Sequence, residues 1–180
     1  MKPLDLQPVL RGELVELRPL RADDFDALFA VASDPLVWVQ HPEPTRCEEP
    51  TFRRFFADAM ASGGALLALD RATGQVIGSS RYYGYDSDRR VVEIGWTFLG
   101  REYWGGRYNR EMKRLMVAHA FQAVDRVIFI IGPENRRSRK AVEKIGGTLA
   151  AAETVRGQER VVYELTLAQA QASGLLAREA

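Results

Sequence analysis

The chain has 180 residues, 46% hydrophobic and 27% charged, and its 25 lysines and arginines nearly balance 24 aspartates and glutamates, for a formal net charge of +1. That length buries one sizeable core, the composition is that of a soluble globular domain, and the charge balance gives no argument for nucleic acid or a membrane surface as partner. A single cysteine, Cys47, excludes an intrachain disulfide framework and a multi-cysteine metal site, and fits a reducing, cytoplasmic setting.

The opening segment, MKPLDLQPVLRGEL, lacks the long apolar stretch of a signal peptide. No later run approaches the ~20 apolar residues that span a bilayer. Glu13 to Arg18 alternates apolar and charged residues as a half-buried strand does. Asp23 and Asp24 open a short helix carrying Phe25, Leu28 and Phe29, the acids suiting its positive end. Ser33 to Pro44 holds three prolines and reads as irregular. Glu48 to Met60 is an amphipathic helix with Phe52, Phe55, Phe56 and Met60 at helical spacing, ended by Gly63-Gly64. Ala65 to Leu69 and Gln75 to Tyr85 read as a hairpin through Asp70–Gly74, and Asp86 to Arg90 is a polar turn. Val91 to Leu99 is the next strand, with Gly95 marking a bulge or a close approach to the backbone. A helix follows, carrying Met112, Leu115, Met116 and His119. Strand Val127 to Ile131, helix Ser138 to Ile145, strands Thr148 to Ala152 and Arg160 to Thr166, and an alanine-rich helical tail from Leu167 complete the order. Without repeat or linker, 1–180 reads as one mixed α/β domain, with 91–99 and 127–131 as parallel neighbours.

The richest stretch is Arg101 to Lys113, REYWGGRYNREMK. A glycine pair at the mouth of a helix turns the backbone sharply and leaves N–H groups unpaired, a receptor for phosphate. Asn135-Arg-Arg-Ser138 opens a second helix after the neighbouring strand, so a phosphate-bearing cofactor laid across both strand ends is implied. No GxxxxGK[ST] loop, GxGxxG fingerprint, HExxH or GxSxG elbow is present. Basic residues do not run along one surface with interleaved aromatics, which gives nucleic-acid binding little support.

The segments LVELRPLRADDFDALF, TGQVIGSSRYY, VEIGWTFLGREYWGGRYNREM and GPENRRSRKAVEKIGG, in this order, resemble the GNAT superfamily of N-acetyltransferases, in the branch similar to RimJ and RimL. The resemblance covers most of the chain. It implies a central mixed, mostly antiparallel sheet, flanked by helices and splayed between its fourth and fifth strands, here 91–99 and 127–131. It implies acetyl-CoA as cofactor. The pyrophosphate would lie on the loop Trp104, Gly105, Gly106, Arg107, Tyr108 and Asn109, and the pantetheine arm along Thr97, Phe98 and Leu99. An N–H near Gly95 would polarise the thioester carbonyl. Relatives usually carry glycine where Arg107 stands, and other branches place a tyrosine acid where this chain has Val142. Ser138 is the remaining hydroxyl, and the branch resemblance points to it.

Attack of an amine on a thioester needs a base, and Glu93 is the candidate. The alternatives are a solvated carboxylate or a structural partner for Arg81. Ser138 donates to the departing sulfur, or simply caps its helix. Asn135 ties the loop or meets the pantetheine amide, or is a turn asparagine. Arg136, Arg137, Arg139 and Lys140 form a basic cluster, read either as attraction for coenzyme A phosphates or as a solvated face. Arg81, Tyr83, Trp96 and His41 are candidates for the acceptor pocket, built from 21–60 and 80–90, although aromatic residues in strands are more often core. His119 reads as a core histidine, and no metal site is implied. The acceptor is a primary amine on a small molecule or peptide. Two alternatives stand beside acetyl transfer: a different acyl-CoA such as succinyl-CoA, with Arg81 or Arg89 as its cationic partner, and a coenzyme A-binding regulator without catalysis. The tail and the exposed meander offer surfaces for a homodimer.

Overall fold

Central strands buried on both faces hold the sheet together. In the computed structural model, which describes residues 3–177, eight strands join side by side. They are β1 (Leu10–Arg11), β2 (Val15–Pro19), β3 (Ala65–Asp70), β4 (Val76–Asp86), β5 (Val91–Leu99), β6 (Arg126–Ile131), β7 (Thr148–Val155) and β8 (Gln158–Thr166). Their order is β1-β2-β3-β4-β5-β6-β8-β7, and only β5 and β6 run parallel. Five α-helices flank the sheet: α1 (Phe25–Ala32), α2 (Glu49–Ala61), α3 (Arg107–Ala120), α4 (Arg136–Lys144) and α5 (Leu167–Ala172).

Alternate residues of β3 feed two cores. Leu66 and Ala68 join one with Tyr82, Ile94 and the α3 stripe Met112, Met116 and Ala120. Ala65 and Leu67 join the other with Leu28, Trp38, Phe98 and the α2 residues Phe52, Phe55 and Phe56. The sheet therefore carries helices on both faces, as a two-sided apolar strand requires.

Two irregularities shape the middle of the sheet. The β5–β6 ladder registers Val91 with Arg126, Val92 with Val127 and Glu93 with Ile128, and then stops. Beyond Glu93 the parallel strands part, which is the expected splay; the short β1, absent from the sequence reading, makes it fall between the fifth and sixth strands. The second is a bulge between β4 and β5. Gly95 sits in regular register opposite Arg81, but Phe98 faces Ser79, so Trp96 and Thr97 together oppose Ser80. The bulge expected at Gly95 thus lies one residue on, where Trp96 takes φ 50. A bulky aromatic there is strained.

Three boundaries also move. α4 begins at Arg136, because Asn135 is its N-cap: the Asn135 carboxamide oxygen accepts from the Ser138 N–H at 3.2 Å. The capping reading of Ser138 is therefore incorrect. β7 and β8 extend to a two-residue turn in which Arg156 (φ 52) and Gly157 (φ 75) both lie in the left-handed region, the pattern of a type I′ hairpin. The tail helix stops at Ala172, and residues 178–180 of the expected tail lie outside the described residues, as do Met1 and Lys2.

Candidate active site

The parting of β5 from β6 opens a cleft of 850 Å³ between them, closed below by α3 and α4. Its wall carries nine lysines and arginines and one carboxylate, that of Glu93. Such a field favours a polyanion.

At the foot of the cleft, Gly105 adopts φ +89, a conformation that favours glycine, and Gly106 precedes the first turn of α3. A side chain at either glycine would meet nothing within 4 Å, so the backbone is bare toward the cleft. The first helical bond runs from the Arg110 N–H to the Gly106 carbonyl at 3.2 Å. No cap closes this end, and among the described residues the N–H groups of Gly105 to Asn109 donate to no acceptor. Trp104 fixes the loop from below: its indole N–H donates to the Leu99 carbonyl at 2.8 Å, and the Arg137 guanidinium lies 3.9 Å above its ring.

Glu93 is 4% exposed and faces the cleft beside Gly95. A methyl on Gly95 would stand 3.1 Å from Glu93 Oε1, so the absent side chain makes room for the carboxylate. The partner of Glu93 is Arg156, which donates from the β7–β8 turn at 2.5 Å, and not Arg81. Burial raises the Glu93 pKa above the ordinary carboxylate value, and the Arg156 hydrogen bond and charge oppose that rise.

Lys113 is 6% exposed and donates to Thr97 Oγ1 at 2.6 Å, with the Phe129 ring 5.3 Å away. Burial lowers its pKa to about 7. Ser138 lines the cleft half-buried, and its hydroxyl makes no hydrogen bond among the described residues. Val142 is buried in the same wall and brings no hydroxyl. The nearby Tyr163 phenol is committed to Glu143, donating at 2.6 Å, and to Arg139, accepting at 3.1 Å.

Most of the remaining candidates gather here. Thr97, Phe98, Leu99, Arg107, Asn109, Asn135 and Lys140 line the cleft, although Phe98 is held in the aromatic core 5.0 Å from Trp38. Tyr108 does not line it: its ring packs edge-on against Tyr103 at 4.9 Å, leaving only its backbone near the loop. In the basic cluster, Arg137 and Lys140 reach the cleft, whereas Arg139 is taken up by Tyr163 and the Pro133 carbonyl. His41 lines the cleft beside Arg46; burial and that arginine push its pKa down to about 3, so the ring is neutral. Arg81, Tyr83 and Trp96 come together in a second cavity, on the far side of Trp96. Tyr82 is core, its phenol donating to the Met116 carbonyl at 2.7 Å. His119 is only half-buried, with its Nε2 2.8 Å from the Asp5 carbonyl, which corrects its reading as a core residue. Sequence reasoning missed Lys113, Arg46 and Arg156. Lys113 interrupts an apolar stripe, and Arg156-Gly157 is a turn signal; both were legible but carried no chemistry by themselves.

Among the described residues no group of three or more His, Cys, Asp or Glu is placed to hold a metal, and no helix is long and apolar enough to cross a membrane.

Fold and cleft define a class, a mixed α/β domain whose parallel pair parts over a cationic groove. The chain belongs to the GNAT acetyltransferase family: the model of the acetyltransferase (GNAT) domain matches residues 15–148. It is an acyltransferase by that membership. Among solved structures it is similar to a GCN5-related N-acetyltransferase from Brucella melitensis, at 23% identity and TM-score 0.79, covering 95% of this chain and 86% of that one. An acetyltransferase from Agrobacterium tumefaciens shares 27% identity at TM-score 0.71, over 88% and 94%. RimJ of Mycobacterium smegmatis, in complex with CoA-disulfide, shares 16% at TM-score 0.70, over 97% and 90%.

Proposed function

We propose that the chain is an N-acetyltransferase of the RimJ/RimL-like branch that moves an acetyl group from acetyl-CoA to a primary amine by direct attack in a ternary complex. The observation that carries this reading is the cleft, with bare helix-mouth amides and many cations at one end and a single buried carboxylate at the other. The fold likeness to RimJ, solved with a CoA-disulfide, supports the choice of cofactor.

The donor set suits a nucleotide diphosphate joined to an extended arm. The N–H groups of Gly105 to Asn109 hold the diphosphate, with Arg107, Arg137 and Lys140 supplying charge. The β5 edge from Thr97 to Leu99 faces the arm. When bound, acetyl-CoA supplies an acyl carbon already activated by its thioester. Glu93 accepts the proton that the attacking nitrogen gives up as the new N–C bond forms. The Ser138 hydroxyl donates to the sulfur as the C–S bond breaks. Asn135 serves by holding Ser138 in the first turn of α4.

The test is thiol release from acetyl-CoA with a panel of amines. Amine-dependent release, absent when either the amine or the protein is left out, is expected. Absence of release with every amine and acyl-CoA, together with tight CoA binding, would contradict it.

A further inference from the structure

Three buried side-chain nitrogens lack any hydrogen-bond partner among the described residues: Nε and Nη2 of Arg81, and Nε of Arg46. All lie on residues lining one cavity of 560 Å³, on the outer side of Trp96. Arg81 is 4% exposed. Its guanidinium carbon lies 4.5 Å from the Trp96 ring centroid and 5.7 Å from that of Phe55; Arg46 lies 4.6 Å from Phe55. Among the described residues no carboxylate stands within ion-pair distance of either arginine; the buried Glu93 acts on Arg81 through charge alone, without a hydrogen bond. Asp58 and Glu43 also line the cavity, but both are exposed, where water screens them.

A buried cation without a counter-ion is costly, and its removal from water is offset only by an opposite charge with good hydrogen bonds. Here the protein supplies aromatic faces on one side and open cavity on the other. The missing component is an anion that comes and goes. A modest swing of a planar guanidinium turns two parallel N–H donors toward the cavity, the geometry that matches a carboxylate.

The cavity also touches the cleft. Arg46, Trp96 and Arg156 line both, and Arg81 sits in register with Gly95, which flanks Glu93. A ligand anchored by its anion at Arg81 therefore presents its other end toward Glu93. Resting on the transferase reading above, we propose that this cavity is the acceptor pocket and that the acceptor is a small, amino-acid-like amine whose carboxylate is held by Arg81 and Arg46.

The experiment follows thiol release from acetyl-CoA with the common amino acids, their carboxamides and aliphatic diamines. The best amino acid should exceed its own carboxamide in kcat/KM by about 100-fold or more, since a site built for a polar group rejects the analogue lacking it. Arg81→Met should erase that ratio, and Arg81→Lys should restore part of it, with CoA affinity by calorimetry unchanged. If Arg81→Met loses CoA binding as well, Arg46→Gln serves instead and should lower the same ratio. Equal rates for acids and amides, or a preference for diamines, overturns the proposal. So does a strong preference for succinyl-CoA over acetyl-CoA that Arg81→Met removes, which would assign the arginine to the donor. A second arm titrates the CoA-loaded chain with the same amino acids. Saturable binding lost in Arg81→Met, without thiol release from any amine, would uphold the anion site and sink the catalytic reading. Release confined to uncharged amines would do the reverse.

Discussion

Glu93 is held between burial, which favours its neutral form, and Arg156, which favours its charge. If it takes the proton, Glu93→Gln should lower kcat at neutral pH by about 100-fold or more and leave CoA affinity intact. The acid limb of kcat/KM should then follow Glu93 deprotonation. Arg156→Met removes the charge that holds the carboxylate pKa down, so that limb should move to higher pH; in Glu93→Gln it should vanish. A pH–rate series on the three proteins checks both outcomes. Glu93 was legible as a carboxylate in an apolar strand beside a glycine. The role of Arg156 was not, because an exposed arginine in a polar hairpin has no periodicity, and only the fold carries its turn back over β5. The role of Gly95 was half-legible: the close approach is real, but what approaches is Glu93 itself.

Elements position these groups through caps and irregular turns. Asn135→Ala removes the N-cap of α4 and should cost about 1 kcal/mol in urea unfolding, with a lower rate because Ser138 is no longer fixed. Gly105→Val places a β-branched residue at φ +89, which strains the backbone whatever the space around it, so it should lower stability and, by reshaping the loop, weaken CoA binding. Calorimetry against thermal unfolding separates the two effects. The helices α2 and α3 and strands β3 to β6 were visible because their apolar residues are numerous enough to show through single interruptions such as Lys113 and the bulge at Trp96. β1 was not, since two residues carry no period. The start of α4 was misplaced because Asn135 and Ser138 are both plausible caps by type, and only backbone geometry chooses.

Across the whole molecule, composition concealed the field that matters. A net charge of +1 says nothing of a cleft lined by nine lysines and arginines and one carboxylate, since the balancing acids lie elsewhere. Lys113 ties that cleft to stability. Its folded pKa of about 7 lies below the ordinary 10.5, so between those values the unfolded chain binds the extra proton. Stability from this group is therefore lowest below the folded value and rises with pH through that window, by up to about 1.4 kcal/mol per pH unit. Lys113→Met should remove this component from the pH dependence of urea unfolding. The central claim is that open main-chain donors at the mouth of α3 hold a diphosphate. Calorimetric titration with CoA and with pantetheine, which lacks the phosphates, tests it most directly. The account predicts saturable CoA binding that weakens with salt and pantetheine binding at least about 100-fold weaker. Equal affinities for the two, or no binding of CoA at all, would contradict it.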